Sequence, residues 1–416
     1  MRKIFVGLDV SSKSFSMACI DGEGKVILKT KTFKNSPQGA SSALSSLLSI
    51  IPEGTSSEIS IGTESTSFYD FHLANFFSSC PQLQNHKVSV RRVNPLRINR
   101  FRKAVHEIHK TDKSDPIIIA EFLRMGKNLP PPHNPSDPFA PLRSLTRFRV
   151  HLVNAIVREV NFLLSNLFLY LSEFANEKPL KISSKTSLAL IEELSPEEIA
   201  EKSVEEIVVF LTRNGKGRFR EPEKIAETIK YLTRESFRIR AELARSVHFV
   251  LINSIRNIRA LKESLKEVSK AIREEMKAFP NTLVTVPGIG EILSSGIIAE
   301  IGDIGRFERD DQIAKLAGLV WGRFQSGGFE GEERRMIKSA NKYLRYYICE
   351  AANSVRRNVP QFSNYYWKKY KESRSNHHKR ALVLTARKFI RLVFNLLKEG
   401  KIFRPEGSSG EETNDS

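Results

Sequence analysis

Residues 5–11 read Phe5-Val6-Gly7-Leu8-Asp9-Val10-Ser11, an apolar run that a single acid interrupts. Short apolar or alternating runs bounded by turn residues are typical of β-strands. Similar runs follow at residues 15–20 and 26–33, with turn compositions between them. This part of the chain therefore predicts three consecutive strands joined as a meander, with Asp9 in the first of them.

Helices and strands are predicted to alternate after this meander. Ser36-Pro37 offers an N-cap followed by proline at the first helical position, and leucines recur behind it at helical spacing. Further strands are predicted at 59–63 and 88–93, and further helices at 68–77 and 116–125. The predicted order is three strands, then helix, strand, helix, strand and helix. This order predicts a mixed α/β sheet domain over residues 1–126.

A linker and a helical connector are expected next. Residues 127–142 hold six prolines, which fit neither a regular helix nor a central strand, so they predict a proline-rich linker. Residues 143–279 predict the connector, in which apolar residues recur at steps of three and four from Leu243 to Ile272. That spacing fits a coiled coil or antiparallel hairpin, and equally one buried helix in a bundle.

The remainder of the chain is expected to form a second compact domain. Residues 280–404 predict a mainly helical domain, and residues 405–416, rich in Ser, Gly and Glu, predict a disordered tail. The predicted fold class is thus an α/β domain followed by an all-α remainder.

The composition excludes several classes of protein. The 416 residues are 40% hydrophobic and 27% charged, which argues against wholesale disorder, and no apolar run approaches the ~18 residues that span a bilayer. No secretory signal is visible, so the expected compartment is the cytosol, without membrane association. Three widely spaced cysteines, Cys19, Cys80 and Cys349, argue against a disulfide framework or a structural zinc site.

The positive charge is concentrated in two tracts. The chain has 66 Lys+Arg and 47 Asp+Glu, a formal net charge of +19. Between Lys87 and Lys110 eight basic residues stand against one acid, and between Arg334 and Arg404 nineteen stand against three. Because Lys and Arg displace counterions from a phosphate backbone, nucleic acid is the preferred interpretation over a merely solvated basic surface. The predicted contacts in the first tract are Arg91, Arg92, Arg97, Arg100, Arg102 and Lys103.

Four acids are predicted to meet at one edge of the sheet. Asp9 interrupts the first strand and Glu64 ends the fourth. Asp112 and Asp115 lie three residues apart before the last predicted helix of this domain. Taken alone, Asp9 is better explained as a cap of the following turn, and the Asp112 and Asp115 pair also fits the first turn of a helix. Together they match the layout that gathers four carboxylates at one end of a ribonuclease-H-like sheet, and such hard oxygen ligands suit Mg²⁺ or Mn²⁺.

Two glycine-containing motifs mark the C-terminal domain. Val286-Pro287-Gly288-Ile289-Gly290 is similar to a helix-hairpin-helix turn, in which Gly288 and Gly290 let backbone N–H groups approach a phosphate, although such residues also make ordinary turns. Ser326 precedes two glycines; such a serine is usually a loop residue, but beside cations it is also a candidate nucleophile for a phosphodiester. The surrounding cations, predicted to contact nucleic acid, are Arg323, Arg334, Arg335, Lys338, Lys342 and Arg345.

These motifs, in this order, resemble the insertion-sequence-110 family of DEDD transposases, RNA-guided recombinases of bacterial mobile elements. The likeness covers nearly the whole chain. It includes Gly7-Leu8-Asp9-Val10-Ser11, Gly62-Thr63-Glu64-Ser65-Thr66, the Asp112 and Asp115 pair, Pro287-Gly288-Ile289-Gly290, Ala299-Glu300-Ile301-Gly302-Asp303, Ala317-Gly318-Leu319, Ser326-Gly327-Gly328 and Asn341-Lys342-Tyr343-Leu344-Arg345.

The resemblance implies a RuvC-like N-terminal domain, a coiled-coil connector and a C-terminal transposase domain. It implies that the four acids bind Mg²⁺ and that Ser326 attacks DNA to form a covalent phosphoserine intermediate. Members use a structured bridge RNA that pairs with target and donor DNA, and they act as oligomers. The expected partners are therefore element-end and target DNA, this RNA, and further copies of the chain in a dimer or tetramer, at the nucleoid of a bacterial or archaeal cell.

Two other functions stay open. One is a metal-dependent RuvC-like nuclease or junction resolvase, in which water attacks the phosphodiester and Ser326 is only a loop residue. The other is a non-enzymatic RNA-binding scaffold, in which the acids are structural caps.

Overall fold

A computed structural model of the chain describes residues 1–52, 54–65, 67–105, 115–126, 129–321 and 340–404, with the backbone alone at 325–326 and 329–330. The chain divides into two compact units, Met1–Pro138 and Phe139–Ser416. Each unit has hydrophobic cores of its own.

The first unit is built on a five-stranded mixed sheet. Its strands are β1 (Arg2–Val10), β2 (Ser14–Asp21), β3 (Val26–Lys34), β4 (Ser57–Glu64) and β5 (Lys87–Val93). Their order in the sheet is β3-β2-β1-β4-β5. The first three strands pair antiparallel, whereas β4 pairs parallel with β1 and β5 pairs parallel with β4. The predicted mixed α/β sheet is confirmed, and each strand is one or two residues longer at one or both ends than the sequence pattern indicated.

Four helices accompany the sheet: α1 (Pro37–Leu48), α2 (Phe71–Ser79), α3 (Pro95–Val105) and α4 (Asp115–Arg124). The predicted cap of α1 is present, because the Ser36 side chain accepts a hydrogen bond from the Gly39 N–H. The sequence analysis missed α3. Its only buried residue is Ile98, so the helix has no apolar stripe, and its start is marked by Asn94, whose side-chain oxygen accepts from the Leu96 N–H.

Two paired glycines decide how closely α4 lies on the sheet. Gly7 of β1 and Gly62 of β4 are register partners. A Cβ atom on Gly7 would stand 1.7 Å from the carbonyl oxygen of Pro116, and one on Gly62 would stand 2.9 Å from Leu123 Cδ1. Any side chain at Gly7 would therefore lift the first turn of α4 off the sheet.

Over the residues that the structure describes, the second unit is helical apart from one small hairpin. Its elements are α5 (Ala140–Tyr170), α6 (Ser172–Glu177), α7 (Lys185–Glu193), α8 (Pro196–Glu201), α9 (Val204–Gly215), α10 (Pro222–Glu235), α11 (Ala241–Met276), α12 (Glu291–Ile301), α13 (Asp310–Ala317), β6 (Gln325–Ser326), β7 (Phe329–Glu330), α14 (Lys342–Asn358), α15 (Pro360–Glu372) and α16 (His377–Glu399). This arrangement agrees with the predicted all-α remainder.

The two longest helices, α5 and α11, run antiparallel. Leu142 near the start of α5 shares a core with Ile272 near the end of α11, and Leu163 near the end of α5 shares another with Leu251. Between them, the Ser254 hydroxyl donates to Glu159 Oε1 at 2.7 Å. The apolar stripe on α11 thus packs in an antiparallel helix pair, one of the arrangements that its spacing allowed.

Helix α5 is also long and apolar enough to cross a membrane, with a mean hydropathy of 1.3 over its most apolar window. No uninterrupted apolar run of that length exists there, since Arg158 and Glu159 break it. A single helix of this kind is weak evidence for a membrane span, because core helices of soluble proteins have the same composition. Of the two charged residues that break this apolar stretch, Glu159 bonds to α11 within the unit.

The stretch between α5 and α11, part of the predicted connector, is a packed set of short helices. Ser195 and Ser203 each form a capping box, with Glu198 and Glu206 respectively. In a capping box the serine accepts from the backbone N–H three residues on, and the glutamate there accepts from the backbone N–H of the serine. Two helix starts are therefore encoded within nine residues of each other, which explains why periodicity alone found no long helix.

Candidate functional site

Asp9 and Glu64 lie beside each other at the same edge of the sheet. The parallel register of β1 and β4 pairs Leu8 with Thr63, and the two acids are the next residues on these strands. Each stands two residues beyond a paired glycine, so both belong to the sheet face that α4 covers, because side chains alternate along a strand. Both acids are half-buried and both make interactions.

Asp115 is the first residue of α4 and comes to this face through the close approach of that helix. It is 3% exposed and directly precedes Pro116, whose carbonyl lies over Gly7. Its Oδ1 accepts from Arg102 Nη2 of α3 at 2.8 Å, and the two side chains are 4% and 13% exposed. Arg102, one of the predicted nucleic-acid contacts, holds the carboxylate at the start of α4.

Three of the four predicted acids lie on three different elements, with Asp9 and Glu64 near the ends of β1 and β4 and Asp115 at the start of α4. Asp112 lies outside the described residues. Among the residues that are described, no three His, Cys, Asp or Glu side chains are close enough together to hold a metal ion. The carboxylate donors are of the type that Mg²⁺ and Mn²⁺ prefer, so the chemistry of the set fits such an ion.

A fifth acid, Asp70, was missed by the sequence analysis. Its side chain is fully buried just before α2 and accepts two hydrogen bonds from Arg92, Nε to Oδ2 at 2.7 Å and Nη2 to Oδ1 at 2.6 Å. The Thr63 hydroxyl also donates to Asp70 Oδ2, at 2.8 Å. This network fixes the ends of β4 and β5 beside Glu64. No pattern marked Asp70, because an acid before a helix is ordinarily an exposed cap.

The other basic residues of the first tract occupy different environments. Arg97 lies over the Phe122 ring at 5.3 Å from its centroid, and burial lowers its pKa. Arg91 is half-buried, and its Nε and Nη1 have no hydrogen-bond partner. Arg100 and Lys103 are exposed on α3. Of the six predicted contacts, these last two are exposed.

Gly288 and Gly290, the two glycines of the predicted turn, directly precede α12. Gly288 has a φ of +92°, and a Cβ there would stand 2.6 Å from Asn358 Nδ2, so both conformation and space require glycine. Gly290 faces open space, with nothing within 4 Å of an added Cβ, and it caps α12 without a side-chain bond. Between them, Ile289 is buried and anchors the turn.

Ser326 lies on the two-stranded hairpin of the second unit. It ends β6 and pairs with Phe329 of β7, and Gln325 pairs with Glu330. Ser326 is therefore the last paired residue of β6 before Gly327 and Gly328. Nothing further is described of its side chain, and Arg323, Arg334, Arg335 and Lys338 lie outside the described residues.

The segment of residues 318–340, here called the serine segment, is tied together at its base. The Asn341 N–H donates to the carbonyl of Leu316 at 2.8 Å, and Arg345 Nε donates to the carbonyl of Ala317 at 2.9 Å. Gly318, with a φ of +68°, ends α13. Arg345, a predicted nucleic-acid contact, therefore closes the segment, whereas Lys342 is exposed and lies 5.1 Å from the centroid of the Tyr343 ring.

Beneath this base lies a buried ion pair. Arg147 of α5 donates to both oxygens of Glu300 on α12, Nε to Oε1 at 2.7 Å and Nη2 to Oε2 at 2.8 Å. Asn341 Nδ2 donates to Glu300 Oε2 at 2.7 Å, while its own oxygen accepts from the Tyr343 and Leu344 N–H groups and so caps α14. One carboxylate thus joins α5, α12 and α14.

Two family models match the chain. A DEDD transposase model of IS110 elements, described as "Transposase", matches residues 6–171, and a model described as "Transposase IS116/IS110/IS902 family" matches residues 281–367. The first range contains the four predicted acids and the second contains Ser326.

Two curated relatives are similar over most of their length. The insertion element IS116 uncharacterized 44.8 kDa protein of Streptomyces clavuligerus is 23% identical over 411 residues, which are 97% of this chain and 96% of that protein. The insertion element IS900 uncharacterized 42 kDa protein of Mycobacterium paratuberculosis is 24% identical over 301 residues, 71% of this chain and 73% of that protein.

Proposed function

The chain belongs to the insertion-sequence-110 family of transposases, and from that premise we propose that it cuts and rejoins DNA through a covalent bond to Ser326. The proposal assigns the N-terminal unit a RuvC-like fold, in keeping with its strand order and its mixture of antiparallel and parallel pairs. It also assigns Asp9, Glu64, Asp112 and Asp115 to a site for Mg²⁺ or Mn²⁺.

The observation that carries the metal site is the pairing of Gly7 with Gly62. Side chains at these positions would fill the space that the first turn and the middle of α4 occupy. Their absence lets α4 begin directly over β1, so that Asp115 reaches the face on which Asp9 and Glu64 stand. Independent helix and turn caps would not require this close approach. A divalent cation held there would stabilise the negative charge that develops on phosphoryl oxygens.

In the proposed reaction the Ser326 oxygen forms a bond to the scissile phosphorus while the bond from phosphorus to the oxygen of the leaving strand breaks. The proton of the serine hydroxyl passes to a carboxylate or water, and the leaving oxygen takes up a proton. Rejoining reverses these steps with a different strand, so one phosphodiester replaces another without an external energy source. The basic residues near the serine in sequence would balance the phosphate charge.

The proposal includes a structured bridge RNA and a homo-oligomer, dimer or tetramer, as the family resemblance implies. The net charge of +19 supports binding to polyanionic partners such as DNA and RNA. An oligomer would also let an acidic site and a serine from different copies act on one DNA.

A trapping experiment tests the serine. The protein is incubated with Mg²⁺, DNA carrying the element ends and RNA transcribed from the element flanks, and covalent protein–DNA adducts are resolved on denaturing gels. We expect an adduct for the unaltered chain and for the control Ser339→Ala, which removes the next serine along the chain, and none for Ser326→Ala. Cleavage that persists in Ser326→Ala would support a nuclease or resolvase in which water attacks.

A second experiment tests the acids. Asp9→Asn and Asp115→Asn, each checked for an unchanged circular dichroism spectrum, are expected to abolish both cleavage and adduct, as is chelation of divalent cations. Restoration by Mg²⁺ or Mn²⁺ after chelation is expected for the unaltered chain alone. Full DNA processing by both variants would remove the metal site from the proposal and leave the scaffold alternative for these residues.

A further inference from the structure

An exposed tryptophan stands on the solvent face of α15, beyond the motifs that carry the acids and the serine. Trp367 is 51% exposed, whereas Phe362 and Tyr366 of the same helix are buried. The exposed positions next to it, Lys368 and Lys371, share its face. An exposed Trp forgoes the stabilisation that burial would give it, and such residues are typical of binding surfaces.

Trp367 begins a row of aromatic rings that crosses from α15 to α16. The Trp367 and Tyr370 ring centroids are 5.3 Å apart, and those of Tyr370 and His377 are 5.2 Å apart. The row is held at the turn by a 3.0 Å hydrogen bond between His377 Nδ1 and the Tyr370 carbonyl oxygen. Trp367 and Tyr370 meet edge to face at 64° and Tyr370 and His377 are tilted by 34°, so the row supports the Trp367 ring and does not form one flat stack.

The charge around this row is almost entirely positive. From Arg356 to Arg391 the chain has eleven Lys and Arg and a single acid, Glu372, which is paired with Lys369 at 2.5 Å. The first turn of α16 reads His377-His378-Lys379-Arg380, with no acid. Cations at a helix N-terminus are unfavourable, because the helix dipole is positive there, and a bound anion would relieve the repulsion.

We propose that this surface, which we call the α15–α16 platform, binds an unpaired stretch of nucleic acid, with a base stacked on Trp367 and phosphates beside Lys368, Lys371 and Lys379. An unpaired strand is the partner that fits both features, because its bases expose their faces and its backbone is anionic. A duplex hides base faces and would use only the charge. The inference shares with the proposed function only the premise that the chain handles nucleic acid, and it requires neither Ser326 nor the acids.

Binding to short labelled oligonucleotides tests the platform. The full chain carrying Ser326→Ala, which cannot react by the proposed route, is titrated against a 12-nucleotide single-stranded DNA, the RNA of the same sequence and the 12-base-pair duplex, with fluorescence anisotropy as the readout. We expect Trp367→Ala to weaken single-strand binding about 10-fold and to leave duplex binding nearly unchanged. Trp367→Phe keeps a stacking ring and is expected to retain most of the affinity. Tyr231→Ala, which removes a 63% exposed aromatic ring from α10, is the matched control and should have no effect.

Tryptophan fluorescence gives a direct readout of stacking. The chain has two tryptophans, so Trp321→Phe leaves Trp367 as the sole indole, and single strands are expected to quench it while the duplex does not. Equal losses for single strand and duplex in Trp367→Ala, or no loss at all, would overturn the proposal. The DNA and RNA arms show which strand the platform prefers. If no covalent adduct forms with the unaltered chain while quenching persists, the serine chemistry fails and the platform stands.

Discussion

Replacing Glu300 with alanine is expected to destabilise the second unit by about 3 kcal/mol, because it removes the carboxylate that joins three helices. The Glu300 side chain is 0% exposed and accepts three hydrogen bonds, two from Arg147 and one from Asn341, all between 2.7 and 2.8 Å. Alanine would leave both donors without this acceptor.

The magnitude follows from the burial of the two partners. Removing one member of a buried ion pair costs about 3 to 5 kcal/mol, since the other charge stays behind unpaired. The Arg147 side chain is 37% exposed, so water would restore part of its solvation and lower that cost. The Asn341 amide would lose an acceptor, which adds on the order of 1 kcal/mol. Together these values give about 3 kcal/mol.

The assay is urea unfolding at pH 7 followed by circular dichroism, for Glu300→Ala, Arg147→Ala and the double variant. We expect a coupling free energy of about 1.5 to 3 kcal/mol between the two substitutions. Arg309→Ala is the matched control, because Arg309 makes the same two-bonded contact with Asp311 at the surface, at 3.0 and 2.7 Å. It should unfold like the unaltered chain, since exposed ion pairs contribute little. A cost for Glu300→Ala below about 1 kcal/mol, or full additivity with Arg147→Ala, would refute the reasoning.

Three further outcomes are expected. Gly7→Ala should destabilise the first unit by about 3 kcal/mol or more in urea unfolding and abolish DNA cleavage, because its Cβ would collide with the first turn of α4. The control Gly22→Ala should do neither, because the atom nearest to its Cβ would be 3.9 Å away. Burial raises the pKa of Cys19 to about 12 and that of Cys349 to about 11. At pH 8 a smaller fraction of each thiol is therefore ionised than in an exposed cysteine, and iodoacetamide should label both slowly until urea unfolds the chain. Ser203→Ala removes the N-cap of α9 and should lower the free energy of unfolding by about 1 kcal/mol; an unchanged unfolding curve would mean that the cap contributes nothing.

The sheet was predictable from the sequence because each of its strands carries a short apolar run between turn residues. The same patterns put Asp9 and Glu64 at strand positions that the register then made neighbours. Helix α3 was not predictable in this way, since its surface is basic and it buries only Ile98. A helix held by an ion pair, here Arg102 with Asp115, leaves no periodic apolar signal.

Pairings distant in sequence were also beyond prediction. Glu300 lies in a quoted motif, yet nothing in that motif indicates that its partner is Arg147, 153 residues earlier. The structural role of Asp70 could not be predicted either, because it follows from the burial of the side chain and not from the residue type. In contrast, the Ser-x-x-Glu starts of α8 and α9 were present in the sequence, and reading them as capping boxes would have found both helices.

The closed base of the serine segment has a consequence for how such chains can diverge and be engineered. Because Leu316 and Asn341 are hydrogen-bonded to each other, the chain that flanks residues 322–339 is already held together at one place. The entropic cost of closing a loop changes only slowly with its length, by about 0.6 kcal/mol for each doubling. The bundle should therefore accept a longer, shorter or exchanged stretch at residues 322–339, including a short Gly-Ser bridge, and remain folded, provided that the buried Leu319 is kept. The segment that carries Ser326 and the helical bundle would then be separable parts. Corresponding segments from relatives could be transplanted onto one bundle.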